Sequence, residues 1–281
     1  MSYTFIPNTR YRMPTHFGPA YGPRRVPAGT KLDHTKYPVA TTVTYRFLSE
    51  AKALDALLPP GFELAGEPVV SLDLAYMTEI PWLAGRGYNM GLVSWPATFR
   101  GNTDVMTGRF CAVLFENFAD PILTGRDELG HPKIYCEIPP LLTTSSGCIA
   151  RLAWDGYEFL RISIADLTPT VPAKRGADFP TAGWLQWKYI PGIPHTAEPD
   201  ANYATHSPDP LAAEIHKNMV IDQRLYGNGT VLRNHAKWED MPTVFHIANG
   251  IADLPHLETR LAVVTKTHGW IGDVGDTRRL K

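Results

Sequence analysis

Residues 69–77 of the chain read VVSLDLAYM, and their alternation is the clearest indication of fold in the sequence. In a strand, successive side chains point to opposite faces. The apolar face of this stretch would carry Val70, Leu72, Leu74 and Tyr76. Asp73 would fall on the opposite face with Ser71 and Ala75. Such an alternation is typical of a strand that buries one face in a core.

Further strands are predicted on both sides of this stretch, where runs of β-branched and aromatic residues lie between Gly, Pro and Asn clusters. They cover residues 39–47, 109–115, 149–154, 159–164, 184–190, 243–247 and 260–267. A helix is predicted after Ser49, and a second helix within residues 208–226. Many strands and few helices, without regular βαβ alternation, predict an antiparallel barrel or sandwich.

The composition excludes several classes of protein. The 281 residues include 27 basic and 28 acidic side chains, and a net charge of −1 gives no basic surplus for nucleic acid. No apolar run approaches the length of a membrane span, and no signal peptide is visible at the N-terminus. Three cysteines without a CxxC pair favour neither a disulfide framework nor a zinc site. We therefore expect a cytoplasmic protein that binds neither nucleic acid nor membrane.

Residues 1–36 differ from the rest of the chain. They are rich in proline and arginine and show no periodicity. This pattern predicts an irregular N-terminal arm, either disordered or laid over a neighbouring subunit. The remainder, residues 37–281, is expected to form a single domain, because neither a repeat nor a break in composition divides it.

The segment that indicates chemistry is residues 125–139, which read GRDELGHPKIYCEIP. A turn-rich loop ends at Pro132, and a short strand is predicted to start at Lys133. Alternation places Lys133 on one face of that strand with Tyr135 and Glu137. Spacing alone favours a solvent-exposed lysine, because most lysines are exposed.

This segment resembles the lysine motif of the acetoacetate decarboxylase family, in which Gly-Arg and an acidic residue lead to Pro-Lys and the lysine forms a Schiff base. Residues 68–75 resemble the family strand that carries an acidic active-site residue. Residues 45–63 and 246–255 resemble further family segments in the same order. The resemblance spans roughly residues 37–270. It implies a mostly β (α+β) fold, an open antiparallel β-barrel or cone with one or two helices.

The resemblance also implies a lyase that forms a Schiff base with a small keto acid or related ketone. A free lysine has a pKa of about 10.4, so its neutral, nucleophilic form is rare at pH 7 unless burial or a neighbouring cation favours it. Acetoacetate decarboxylase is itself the known example of such activation. Lys133 would be nucleophile and electron sink, and Asp73 would orient water or substrate or move a proton. The substrate-binding candidates are Asn89, Tyr88, His131 and Arg126. Neither a cofactor nor a metal is implied, and a homo-oligomer is expected.

The sequence departs from the family pattern around the lysine. Ile134 stands where the family has a second lysine, Tyr37 or Pro38 where it has an arginine, and Asn89 where it has a second glutamate. Since these groups surround a carboxylate, acetoacetate itself is expected to be a poor substrate. Two alternatives stay open: a pyruvate aldolase-dehydratase that uses the same lysine, and a non-covalent binding protein or isomerase.

Overall fold

The structure is a computed structural model that describes residues 3–19, 26–171, 183–208, 219–269 and 277–281. The strands are β1 (Val39–Leu48), β2 (Phe62–Leu64), β3 (Val69–Thr78), β4 (Tyr88–Arg100), β5 (Val105–Glu116), β6 (Lys133–Tyr135), β7 (Leu142–Thr143), β8 (Cys148–Trp154), β9 (Tyr157–Thr168), β10 (Trp184–Ile190), β11 (Ala201–Ser207), β12 (Val220–Arg233), β13 (Glu258–His268) and β14 (Arg278–Arg279). The described α-helices are α1 (Ala51–Asp55), α2 (Ala119–Thr124) and α3 (Phe245–Ala252). Within the described ranges, none of the helices has the length and apolarity needed to cross a membrane.

The fourteen strands of the described residues belong to one open sheet. Their order is β14-β11-β10-β5-β4-β3-β1-β13-β12-β9-β8-β7, with β2 paired to β4 and β6 paired to β5. Strands account for 47% of the residues and helices for 12%, so the prediction of a mostly β, open fold is confirmed. Both β6 and β10 pair with β5 in parallel, whereas the other described strand pairs are antiparallel. These two parallel pairings bring the start of β6 close to β10.

One face of the sheet packs into the main hydrophobic core. On β3 the side chains of Val70, Leu72 and Leu74 are almost completely buried in it, as the alternation predicts. The opposite face, which carries Asp73, is mixed. Its apolar part is a smaller cluster of Leu92, Cys111 and Leu114. This mixed face, not the main core, offers polar groups for chemistry.

One predicted element is wrong, and a second is wrong in its C-terminal part. Residues 243–247 were expected to form a strand, but Phe245–Ala252 form α3. This helix is anchored by Asn249, whose side-chain amide both accepts from and donates to the backbone of Ala236. In the predicted helix at 208–226, residues 220–226 lie in β12, which pairs with β13 on one side and β9 on the other. Residues 209–218 lie outside the described residues. In residues 220–226, pairing with β13 and β9 thus overrides the local helical pattern.

The described part of the N-terminal arm contacts the chain's own domain. Its local structure is a 3-10 turn at Thr15–Phe17. Arg12 forms an ion pair with Glu128, with Nη2 and Oε1 2.6 Å apart and both side chains mostly buried. Glu128 lies in the turn that leads to Lys133. The arm therefore packs beside the lysine segment, while its position against another subunit stays a prediction.

Candidate active site

Lys133 is positioned by the sharp turn that precedes it. The π-helical turn Gly125–Leu129 continues α2 and ends at Gly130, whose φ of 81° lies in the left-handed region that favours glycine. A Cβ at Gly130 would also lie only 2.7 Å from Cβ of Lys188 on β10. The chain then reaches β6, where Lys133 pairs with Leu114 of β5. The predicted strand start at Lys133 is confirmed.

The side chain of Lys133 is mostly buried and points to a carboxylate. Its Nζ donates to Oε1 of Glu116 at 2.7 Å and to the carbonyl oxygen of Pro121 at 3.1 Å. The exposed fraction is 12% for the Lys133 side chain and 0% for that of Glu116. The solvent-exposed position that spacing alone favours is therefore not the one observed.

Glu116 is held in an environment that disfavours an isolated charge. Burial raises its pKa, and the charge and hydrogen bond of Lys133 offset part of that rise. Its Oε2 has no hydrogen-bond partner within the part of the chain that the structure describes. Because a charged pair and a neutral pair carry the same net charge, a proton can pass from Nζ to the carboxylate without leaving a lone buried charge.

A glycine makes room for the lysine side chain. A Cβ on Gly125 would overlap Cδ and Cε of Lys133 and lie 3.0 Å from Nζ. The backbone of Gly125 has ordinary helical dihedral angles, so its conformation alone does not require glycine. The close approach favours it, because a Cβ here would force the lysine side chain to shift and so move Nζ relative to Glu116.

His131 lies at the end of the same turn and is neutral at physiological pH. Its ring nitrogens are 3.3 Å from Nε2 of Gln186 and 3.5 Å from Oγ of Ser207. Burial, helped by the charge of Lys133, lowers the pKa of His131 to about 3. Gln186 is completely buried and accepts a hydrogen bond from Thr205. Both ring nitrogens of His131 thus lie near protein partners, and the neutral ring carries a single N–H proton at pH 7.

Asp73 lies on the same face of the sheet as Lys133, at a distance. The register Asp73–Leu92–Leu114–Lys133 crosses three strand steps, about 14 Å at the usual strand spacing. Its carboxylate accepts hydrogen bonds from the hydroxyls of Thr44 and Ser71, at 2.6 and 2.9 Å.

Arg109 completes the surroundings of Asp73. Its Nη2 is 2.9 Å from Oδ2 of the aspartate, and its guanidinium lies 4.0 Å above the ring of Trp184. Both side chains of the pair are mostly buried. The mixed face thus holds two ion pairs, Asp73–Arg109 and Lys133–Glu116, separated by the small apolar cluster.

Arg126 and Tyr88 contact the surroundings of the lysine differently. Arg126 donates from Nη1 to the carbonyl oxygen of Lys133 at 2.9 Å, so it holds the backbone rather than the amine. It also lines a cavity of about 210 Å³ together with His131 and Lys188. Tyr88 begins β4 on the face shared by Met90 and Glu116, and its ring packs 6.2 Å from that of Trp82.

The structure does not bring Asn89 to Lys133. Both Tyr88 and Asn89 lie in β4. Asn89 points to the other face of the sheet, where its amide donates to the carbonyl oxygen of Ile138 at 2.9 Å. There it lines a separate cavity of about 350 Å³ with Thr41 and Tyr76. The residue of β4 that pairs with Glu116 is Met90.

Sequence reasoning missed Glu116 and Arg109. Glu116 follows an apolar strand directly, and a charged residue at such a position usually faces water. Alternation from Leu114 places Glu116 on the same face, but pairing between β5 and β6 decides that Lys133 lies there too. That register is a long-range property that no local motif reports.

Comparison with known proteins identifies the family. The sequence model described as Acetoacetate decarboxylase (ADC) matches residues 12–211, more than half of the chain. This chain belongs to the acetoacetate decarboxylase family. The matched region begins inside the N-terminal arm and includes β1 to β11. No significant match was found among curated protein sequences.

Several solved structures share the fold. An acetoacetate decarboxylase-like enzyme from Sphingomonas wittichii RW1 superposes with a TM-score of 0.62 at 16% identity, covering 89% of this chain and 94% of its own. Acetoacetate decarboxylase from Legionella pneumophila subsp. pneumophila str. Philadelphia 1 gives 0.56 at 16% identity, with coverages of 91% and 92%. The enduracididine biosynthesis enzyme MppR complexed with pyruvate gives 0.58 at 15% identity, with coverages of 88% and 91%. The acetoacetate decarboxylase-like fold predicted from the motifs is confirmed.

Proposed function

We propose that this member of the acetoacetate decarboxylase family is a lyase that forms a Schiff base between Lys133 and a small keto acid or related ketone. The observation that carries the proposal is the ion pair of Lys133, 12% exposed, with the fully buried Glu116 at 2.7 Å. A buried ion pair adds little stability over apolar packing, so a lysine in such a place is better explained by a chemical role.

The chemistry of a lysine iminium fits both reactions considered from the sequence. Attack of the amine on a ketone and loss of water give an iminium, which accepts the electron pair of a neighbouring bond. When that bond joins a carboxylate, carbon dioxide leaves and an enamine remains. The enamine can then take up a proton or attack an aldehyde. The same lysine therefore supports decarboxylation and aldol condensation.

The other residues are proposed to shape the substrate site. His131 would hydrogen-bond to substrate as a neutral ring, Tyr88 would line the site on β4, and Arg126 would fix the backbone of Lys133. Asp73 would act from its ion pair with Arg109, about 14 Å away across the sheet. Its contribution would be to hold Arg109 and water, not to touch the amine.

Acetoacetate is proposed to be a poor substrate. Asn89, matched to the second family glutamate, faces the opposite side of the sheet, and Met90 stands next to Glu116 instead. Release of carbon dioxide from acetoacetate, followed by a coupled assay, is expected to be slow. A turnover at or above about 10 s⁻¹, the median for enzymes, would contradict this proposal.

A pyruvate aldolase-dehydratase is the second candidate. It is favoured by the fold shared with MppR, which has been solved with the condensation product of pyruvate and imidazole 4-carboxaldehyde. Incubation with pyruvate and a panel of aldehydes, followed by mass spectrometry of the products, tests it. Condensation products without carbon dioxide would favour this candidate over the decarboxylase.

Substitution of the lysine tests both covalent candidates against a non-covalent binding protein or isomerase. Lys133→Arg should abolish turnover, because a guanidinium stays protonated and cannot attack a ketone. The matched control is Lys266→Arg on an exposed position of β13, which should retain activity. Full activity of Lys133→Arg would favour non-covalent chemistry. We also propose that the protein works as a homo-oligomer in the cytoplasm.

A further inference from the structure

The partner of Lys133 is a carboxylate with no access to water. Glu116 is 0% exposed, its Oε1 contacts Nζ at 2.7 Å, and its Oε2 has no hydrogen-bond partner in the described ranges. Met90 faces it from β4, and Leu114 precedes it on the same face of β5. A proton that leaves Nζ therefore has a carboxylate acceptor at hydrogen-bond distance.

We propose that Glu116 is a catalytic residue that takes the proton from Lys133 and returns it to the substrate oxygen during imine formation. The inference rests on the proposed function, since it supposes that Lys133 attacks a ketone. It adds a second reacting group, which neither the motif nor the family match assigns.

The ammonium of Lys133 gives one proton to the Glu116 carboxylate, which leaves an amine and a carboxylic acid. The nitrogen lone pair forms a bond to the ketone carbon, the carbonyl π pair moves to oxygen, and one proton passes from nitrogen to that oxygen to give a carbinolamine. Glu116 then donates its proton to the hydroxyl, the carbon–oxygen bond breaks, and water leaves. An iminium cation remains beside the Glu116 carboxylate, so the buried charge pair is restored.

Other titratable groups near the amine are less suited to this transfer. Burial raises the pKa of the Cys111 thiol to about 12, so it stays protonated and cannot accept the proton at pH 7. His131 has a pKa of about 3 and is a weak base. Arg126 is directed at the carbonyl oxygen of Lys133, and Asp73 is engaged by Arg109 three strands away. Glu116 is the carboxylate in contact with Nζ.

The test replaces Glu116 by glutamine, which keeps its size and removes its basicity. Wild-type protein and the variant are mixed with pyruvate and cyanoborohydride, which reduces the imine, and the adduct on Lys133 is followed by mass spectrometry against time. Glu116→Gln is expected to form it more slowly by a factor on the order of 100. Glu137→Gln is the matched control. It lies four residues from Lys133, where its carboxylate accepts a hydrogen bond from the backbone of Gly156, and its rate should equal that of the wild type.

The alternative role for Glu116 predicts the opposite result. A carboxylate that only stabilises the ammonium would hold back attack, so Glu116→Gln would form the adduct as fast as the wild type or faster. That result would overturn the inference while leaving the proposed function intact. No adduct in the wild type, across a panel of keto acids and ketones, would remove the proposed function instead.

A second variant decides the case in which Glu116→Gln does not fold. Glu116→Asp keeps the carboxylate and withdraws it from Nζ by one methylene. It is expected to form the adduct about tenfold more slowly than the wild type, because proton transfer depends on close contact. A rate equal to or above that of the wild type would overturn the role of Glu116.

Discussion

The buried pair of Lys133 and Glu116 is expected to be strongly coupled in the folded protein. The perturbations are Lys133→Met and Glu116→Leu, made singly and together. With exposed fractions of 12% and 0%, each single change leaves the other group without its partner in an apolar setting. Removing one member of a buried pair costs about 3–5 kcal/mol, whereas replacing both by apolar residues is often neutral or stabilising. We therefore expect each single variant to lose about 3–5 kcal/mol and the double variant to lose much less.

The assay is urea denaturation followed by circular dichroism, with a surface pair as the matched control. Arg100 and Glu63 show the same separation of 2.7 Å between Nε and Oε1, but their side chains are 60% and 52% exposed. The corresponding changes Arg100→Met and Glu63→Leu should show a coupling of only about 0.2–1 kcal/mol. Single changes at Lys133 and Glu116 that are additive, and as small as those of the control pair, would refute the reasoning.

Three further predictions follow from individual residues. The pKa of His131 in the folded protein is about 3, below the value of about 6.5 for unfolded histidine. Below about pH 6.5 the unfolded state therefore binds an extra proton. The free energy of unfolding should consequently fall on acidification by up to about 1.4 kcal/mol per pH unit. His131→Gln should flatten that dependence in denaturant titrations, and an unchanged slope would contradict the assignment. Gly125→Ala should slow adduct formation at Lys133 at least about tenfold. The control Gly250→Ala, whose Cβ would meet open space in α3, should form the adduct at the wild-type rate. Equal rates for the two variants would contradict the close packing of Gly125 against Lys133. Light scattering should show a homo-oligomer that dissociates when residues 1–36 are deleted; a full-length monomer, or an oligomer unchanged by the deletion, would contradict the role of the arm.

Much of the fold could be predicted because its strands show their buried face locally. The alternation of residues 69–77 predicts the face of β3 that enters the core, and the structure confirms it. β4 was missed because it contains Gly91 and Pro96, which normally interrupt strands. A Cβ at Gly91 would lie 2.9 Å from the side chain of Leu152, so this glycine serves close packing between strands rather than a turn.

Only those site residues that belong to a local sequence motif could be predicted. Lys133 follows from its motif, whereas its partner Glu116 depends on pairing between β5 and β6. Asn89 shows that matching sequence positions to family residues is sensitive to strand register, because a shift of one residue along a strand moves a side chain to the opposite face. Met90, the next residue, is the one that faces Glu116. The sequence alone does not show the register between strands that are far apart in the chain.

The central claim is that Lys133 forms a covalent imine with a ketone substrate. The most direct measurement is borohydride reduction in the presence of a panel of keto acids, followed by peptide mass spectrometry. We expect the mass of the reduced ligand to be added to the peptide that contains Lys133, and we expect Lys133→Arg to abolish the adduct. An adduct on a different lysine, or none with any keto acid of the panel, would contradict it.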